Sequence, residues 1–237
     1  MDFADIGAYR STKAFGYIVV TAFIAAALLY VTMFLGAATA IAFPDNVFES
    51  DNGQLFSVGL VVIGLVAIFE IPIRLGLIVF LLIWMYKAYR NLTPLRAYHQ
   101  EFSPGWAVGW WFVPFLNLVR PYQVVREIYS ESDPEFEESY GFLSGSSHSA
   151  PSFVLLWWLA FVFGGIALRV SEIMFGSGKV DEITAAYYPF AVGTVLWTIS
   201  AGLGAYTVYS IVNRQDARFL RILNSPPAVE NGAMPQG

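Results

Sequence analysis

The chain of 237 residues contains no cysteine, which excludes disulfides, thiolate zinc sites, iron–sulfur clusters and thiol nucleophiles. Its two histidines, His99 and His148, are too few for a histidine-built metal cage. Charge is scarce: 13% of the residues are charged, against about 25% in an ordinary soluble domain. The net charge of −5 gives no basic face to attract nucleic acid. No catalytic or cofactor motif stands out, so the chain is read without a cofactor, without a metal and as a non-enzyme.

What is abundant is apolar: 57% of residues are hydrophobic, and the mean hydropathy is +0.57. These residues gather in long runs, the pattern of a chain whose surface meets lipid. Residues 14–43 are thirty without a charge, where a span needs about 20. That run is too long for the roughly 7–15-residue apolar core of a signal peptide, so it reads as a retained span. Residues 55–91 would extend about 55 Å as one helix against a hydrocarbon core of about 30 Å. Two crossings leave no residues for a turn. One helix kinked at Pro72 is expected, with its last twenty or so residues in the membrane. Trp84, Tyr86 and Tyr89 then fall at the headgroup level. The third and fourth spans are residues 152–175 and 187–212, with Pro151 and Pro189 at their starts. The fold class is an all-α membrane protein with four transmembrane helices.

Ten basic residues (Arg10, Lys13, Lys87, Arg90, Arg96, Arg120, Arg126, Arg214, Arg218, Arg221) fall on the side of the termini, and Lys179 alone on the other. That asymmetry places both termini in the cytoplasm. Residues 1–13 form a cytoplasmic N-terminal segment, 14–212 the membrane domain and 213–237 a cytoplasmic tail, disordered at its proline- and glycine-rich end.

Between the second and third spans lies SPGWAVGWWFVPFLNLVRPYQVVREIY, residues 103–129. Its apolar part, about 106–119, is too short to cross, and crossing would put the C-terminal arginines on the wrong side. From Pro121 onward, Gln123, Arg126, Glu127 and Ser130 share one helical face, and Val124, Val125, Ile128 and Tyr129 the other. Residues 103–130 are therefore expected to form an interfacial or shallowly re-entrant element on the cytoplasmic side. Trp106, Trp110 and Trp111 would anchor it, and Gly105 and Gly109 would admit a neighbouring helix. Residues 131–151 continue as an acidic, flexible loop.

WMYKAYRNL (84–92) and SPGWAVGWWFVPFLNLVRPYQVVREI (103–128), between hydrophobic helices, resemble bacterial membrane proteins carrying domain of unknown function 4328. The resemblance extends over residues 10–215 and implies a multi-pass membrane protein with no assigned activity. Some relatives carry an N-terminal zinc ribbon, which MDFADIGAYR and the absence of cysteine leave no room for here.

Two charged pairs stand in the spans. Glu70 and Arg74 are spaced i, i+4, and Arg169 and Glu172 i, i+3, so each pair shares a helix face. Together they would make a polar cluster in the outer part of the bundle, where intramembrane charge marks a transport or ligand site. Structural pairing and anchoring is the better-supported reading, because long side chains near helix ends reach the interface. The run ESDPEFEE matches no calcium loop, and His148 among serines has no acid to orient it. The expected function is a cytoplasmic-side surface for membrane lipids or a protein partner, built from Trp106, Trp110, Trp111, Pro114, Asn117, Arg120, Pro121, Tyr122, Gln123 and Arg126. The alternative is a small channel or transporter, with a re-entrant element and the outer polar cluster, formed as a homo-oligomer because four helices enclose little space.

Overall fold

The structure is a computed structural model that describes residues 9–43, 53–97, 100–135, 150–177 and 179–224, with the backbone alone at 53–67 and 180. Helices α1 (Lys13–Ala42), α2 (Gly53–Arg90), α5 (Ser152–Phe175) and α6 (Val180–Asn224) form the bundle. Between α2 and α5 lie a short helix α3 (Pro104–Gly109), two 3-10 turns (Trp110–Phe112 and Leu116–Leu118) and helix α4 (Arg120–Glu131). Among the described residues four helices are long and apolar enough to cross a membrane: Lys13–Ala42, Ile68–Arg90, Ser152–Phe175 and Asp181–Asn224. The chain is an all-α membrane protein with four transmembrane helices.

Helices are forced on these runs because lipid offers no partner to a bare peptide group. The threonines inside them obey the same rule. Thr21, Thr32 and Thr207 each donate their hydroxyl to the carbonyl four residues back, at 2.8–2.9 Å. In that way a polar side chain crosses the apolar layer already satisfied.

Helix α6 packs between α1 and α5, and α2 lies along α1. Without a hydrophobic drive between helices in lipid, close packing holds them together, and glycines provide the room. A methyl group added at Gly164 of α5 would stand 2.4 Å from Trp197 of α6, and one at Gly193 would meet Leu168 at 2.6 Å. Gly204 is similarly covered by Trp157 and Phe23 at 2.7–2.8 Å. Gly202, two residues away on the same helix, meets nothing within 4 Å.

The starts of α1 and α5 and the ends of α2 and α6 meet at one end of the bundle, here called the near end. Asn91 Nδ2 donates to Arg10 O at 2.8 Å, and Gln215 Nε2 to Ala88 O at 2.8 Å. The largest fully buried side chains concentrate there: Trp84, Met85, Tyr89, Leu92, Leu95, Ile128 and Ile211.

Three expectations need correction. Trp84 and Tyr89 are not headgroup aromatics, since they are 1% and 0% exposed inside the near-end core. Tyr86 alone of the three faces outward. Pro189 does not start α6 but lies inside it, where a fixed φ is compatible with helix and only one backbone bond is lost. Finally, α6 does not end at residue 212. At 45 residues it is about 68 Å long, about twice the hydrocarbon thickness, and its last turns continue past the span to reach the end of α4. Residues 44–52, His99, residues 136–149 with His148, and the C-terminal segment from 225 lie outside the described residues.

Candidate functional site: an aromatic platform under the bundle

The platform begins where Ser103 caps α3, accepting from the backbone N–H of Trp106 at 3.3 Å, with Pro104 at the first helical position. This Ser-Pro start is the common N-terminal signal. Trp106 is exposed and lies 4.6 Å from Trp110, ring centroid to ring centroid. Trp110 meets Phe102 edge-on, and the Arg120 guanidinium sits 5.3 Å from its ring and 5.6 Å from that of Phe102. Trp111 turns the other way, edge-on to Trp158 and Phe161 of α5. Trp158 Nε1 in turn donates to Leu118 O at 2.8 Å, tying the 3-10 turn to the bundle. Gly105 and Gly109 do not admit a neighbouring helix. A methyl at Gly105 meets nothing within 4 Å, and one at Gly109 meets Trp106 of its own turn at 3.1 Å.

At Pro114–Phe115 the chain reverses. Leu116 N donates to Pro114 O at 2.8 Å across Phe115, whose φ of 64° and ψ of −39° are those of the strained form of the γ-turn. A non-glycine residue held at positive φ costs about 1–2 kcal/mol. The turn keeps Phe115 85% exposed, beside Phe112 at 72%. Leu116, Leu118, Val119 and Trp106 continue this apolar ridge. Pro114 is also exposed, and Asn117 is half-buried with its N–H on Val113 O at 2.9 Å.

Helix α4 faces the other way. Pro121, Val124, Val125 and Ile128 are buried against the bundle, as the amphipathic pattern predicts, while Arg126 is exposed. Arg120 donates to Gln123 Oε1 at 3.0 Å, and Tyr122 is half-buried. Glu127, assigned to the polar face by its spacing, turns inward. Its Oε1 accepts from Tyr89 Oη and from Glu101 N, each at 2.7 Å. Burial pushes its carboxyl above the ordinary value, outweighing the two hydrogen bonds that draw it down.

The C-terminal end of α4 is held by residues that sequence reasoning counted only as cytoplasmic charge. Arg218, 4% exposed, donates to Glu131 O at 2.5 Å, Asp133 O at 3.3 Å and Arg96 O at 3.1 Å. Arg221 donates to Pro134 O at 2.7 Å. Arg214 pairs with Asp133 at 2.8 Å and lies 4.4 Å from the Tyr129 ring. Gln215, fully buried, bridges Ala88 O and Ser132 Oγ. These side chains satisfy the carbonyls a helix leaves bare at its end. The available signal was phase: Gln215 and Arg218 continue the buried stripe of Val208, Ile211 and Val212 at helical spacing. Beside them, Lys13 pairs with Asp216 at 2.8 Å. Tyr9 donates to the same carboxylate, and burial, with that bond adding to it, raises its phenol above the ordinary value.

The charged residues of the expected polar cluster form two pairs, one on each of two helices. Glu70 and Arg74 form an ion pair on α2, and Arg74 lies 4.7 Å from the Trp197 ring of α6. Arg169 and Glu172 pair on α5 at 2.7 Å with both side chains mostly exposed. Among the described residues each acid pairs with the base of its own helix.

A family model described as "Domain of unknown function (DUF4328)" matches residues 48–213. That is well over half of the chain, and the protein belongs to this family. The match takes in α2, the whole platform, α5 and α6 as far as residue 213. It begins after α1 and stops before Arg214, a narrower range than the 10–215 inferred from the motifs. No curated protein and no solved structure matches the chain.

Proposed function

We propose that this is a non-enzymatic protein of the bacterial cytoplasmic membrane, with both termini cytoplasmic, whose platform sits in the inner leaflet. The observation that carries this reading is the ridge Trp106, Phe112, Phe115, Leu116, Leu118 and Val119. It is exposed apolar surface displayed at strained backbone on a segment too short to span. Lipid at the acyl–headgroup boundary suits such a ridge, with the tryptophans at the depth they favour. The opposite edge of α4, with Gln123 and Arg126, is left to water and forms the surface for a protein partner. The side chains at this end best able to do chemistry, Glu127, Asp133 and Arg218, are taken up in holding the platform, which supports a structural rather than a catalytic role.

The chain's lack of cysteine makes the test simple. Single cysteines replace Phe115 and Arg126 in oriented membrane vesicles exposed to a membrane-impermeant maleimide. Arg126→Cys is expected to label from the cytoplasmic side only, and Phe115→Cys to label only after detergent is added. Labelling of Phe115→Cys from the outer side would favour the channel reading, in which a water path reaches the platform and Arg74 lines it. In that case reconstituted protein would show a solute flux that disappears in Arg74→Ala. The platform reading expects no such flux.

A further inference from the structure

Helices α1 and α2 touch at the near end, where Lys87 lies 3.4 Å from the Phe15 ring centre, and then leave a groove between them. It is an open groove of about 460 Å³, a volume within the roughly 300–1,000 Å³ of small-molecule sites. Small residues make the space: Ala22 and Ala25 on α1 and Gly76 on α2 line it, and a methyl added at Gly76 meets nothing within 4 Å. Leu77 and Phe80 form its α2 wall and Tyr17 its near-end edge. Its one inward hydroxyl of the aliphatic kind, on Thr21, is already donated to Tyr17 O at 2.9 Å. The groove is therefore lined by hydrocarbon along its length, with the Tyr17 phenol at its near-end edge.

The α2 face that forms this wall continues downward at helical spacing to Lys87 and Arg90. From Lys87 to Phe80 is about 10 Å along the helix and to Ile73, at the top of the groove, about 21 Å. A phospholipid whose phosphate rests at the basic residues carries its acyl chain over that interval, since one leaflet's hydrocarbon is about 15 Å deep. Arg90 and Arg10 are exposed at the same level, so the charge at the foot of the groove favours an anionic headgroup. We infer that the α1–α2 groove is a binding site for one anionic phospholipid, acyl chain between Ala25 and Gly76, phosphate at Lys87 and Arg90. This site is separate from the platform ridge, and its inference does not depend on the function proposed above.

The test is native mass spectrometry of the full chain, purified in mild detergent and offered equal amounts of phosphatidylglycerol and phosphatidylcholine of the same chain length. One bound phosphatidylglycerol is expected, preferred roughly tenfold over phosphatidylcholine. Gly76→Phe and, independently, Ala25→Phe are each expected to abolish the bound lipid by filling the groove. The double variant Lys87→Gln/Arg90→Gln is expected to keep one lipid but lose the preference. Equal retention of the two lipids by the native chain would overturn the inference. So would bound lipid that persists in both groove-filling variants, or a lipid-free dimer whose association they abolish.

Discussion

A guanidinium carries five donors and no acceptor, and Arg218 spends its donors on backbone carbonyls from two separate segments. One is the end of α4, at Glu131 and Asp133, and the other is the turn at Arg96, which itself stands at a φ of 58°. Removing the side chain would strand several buried carbonyls at once. Arg218→Ala is expected to cost about 2–3 kcal/mol, read as a lowered Tm of the detergent-solubilised protein. Arg218→Lys is expected to recover little of it, because a single ammonium cannot reach the three positions a planar fork serves. A Tm for Arg218→Ala equal to the native value would mean that these bonds are replaceable by water.

Glu127 gives the same region a pH dependence. Its folded carboxyl is raised above the ordinary value chiefly by burial, so the folded protein holds that proton more tightly than the unfolded chain does. The stabilisation is fully present below the ordinary carboxylate range and is lost as pH rises through the raised value. Tm measured from pH 4 to pH 7 is expected to fall more steeply in the native protein than in Glu127→Gln, which keeps an acceptor for Tyr89 and Glu101 without the charge. Parallel curves would remove Glu127 as the cause.

At the scale of elements, the distal part of α6 acts as a strut for the platform. A chain ended after Val212 keeps every span but loses Arg214, Gln215, Arg218 and Arg221. Limited trypsin digestion is then expected to cut after Arg126, in α4, which the native protein protects by fixing the end of that helix through Gln215 and Arg218. Unchanged resistance would show that Trp158 and the buried face of α4 hold the platform alone. The spans were legible in the sequence because lipid selects by composition and length, and no distant partner is needed to read them. The amphipathic face of α4 was legible because its buried residues repeat at 3.6. The strut was not, since Gln215 and Arg218 find their partners some eighty to a hundred and twenty-seven residues away. To a local reading they are only polar residues past a membrane exit. Trp84 and Tyr89 were misplaced for a related reason: an aromatic residue at the end of a span belongs at the headgroups unless another element covers it. Here the platform does, with Tyr89 Oη accepting from the backbone N–H of Phe102 at 2.8 Å. The platform's own residues were named from the sequence, but not their division. The sequence treats Trp106, Trp110 and Trp111 as one anchor, whereas Trp111 packs on α5 and Trp106 faces outward.

At the scale of the molecule, the described chain has two kinds of surface at its near end. The α3 side and the Pro114–Phe115 turn expose large apolar side chains, while α4 and the end of α6 expose charge. A water-soluble domain would bury the first, and a membrane-spanning segment would lack the second. On the function proposed above, their juxtaposition sets the level of the molecule in the bilayer, with the ridge in hydrocarbon and α4 at the boundary. That level is the central claim, and one measurement addresses it directly. A nitroxide attached at Phe115→Cys in reconstituted bilayers is tested for collision with oxygen, which concentrates in hydrocarbon, and with a water-soluble nickel chelate, which does not enter it. The account expects strong oxygen broadening and almost none from nickel at position 115, with the reverse for a label at Arg126→Cys. Strong nickel broadening at position 115 would place the ridge in water and contradict it.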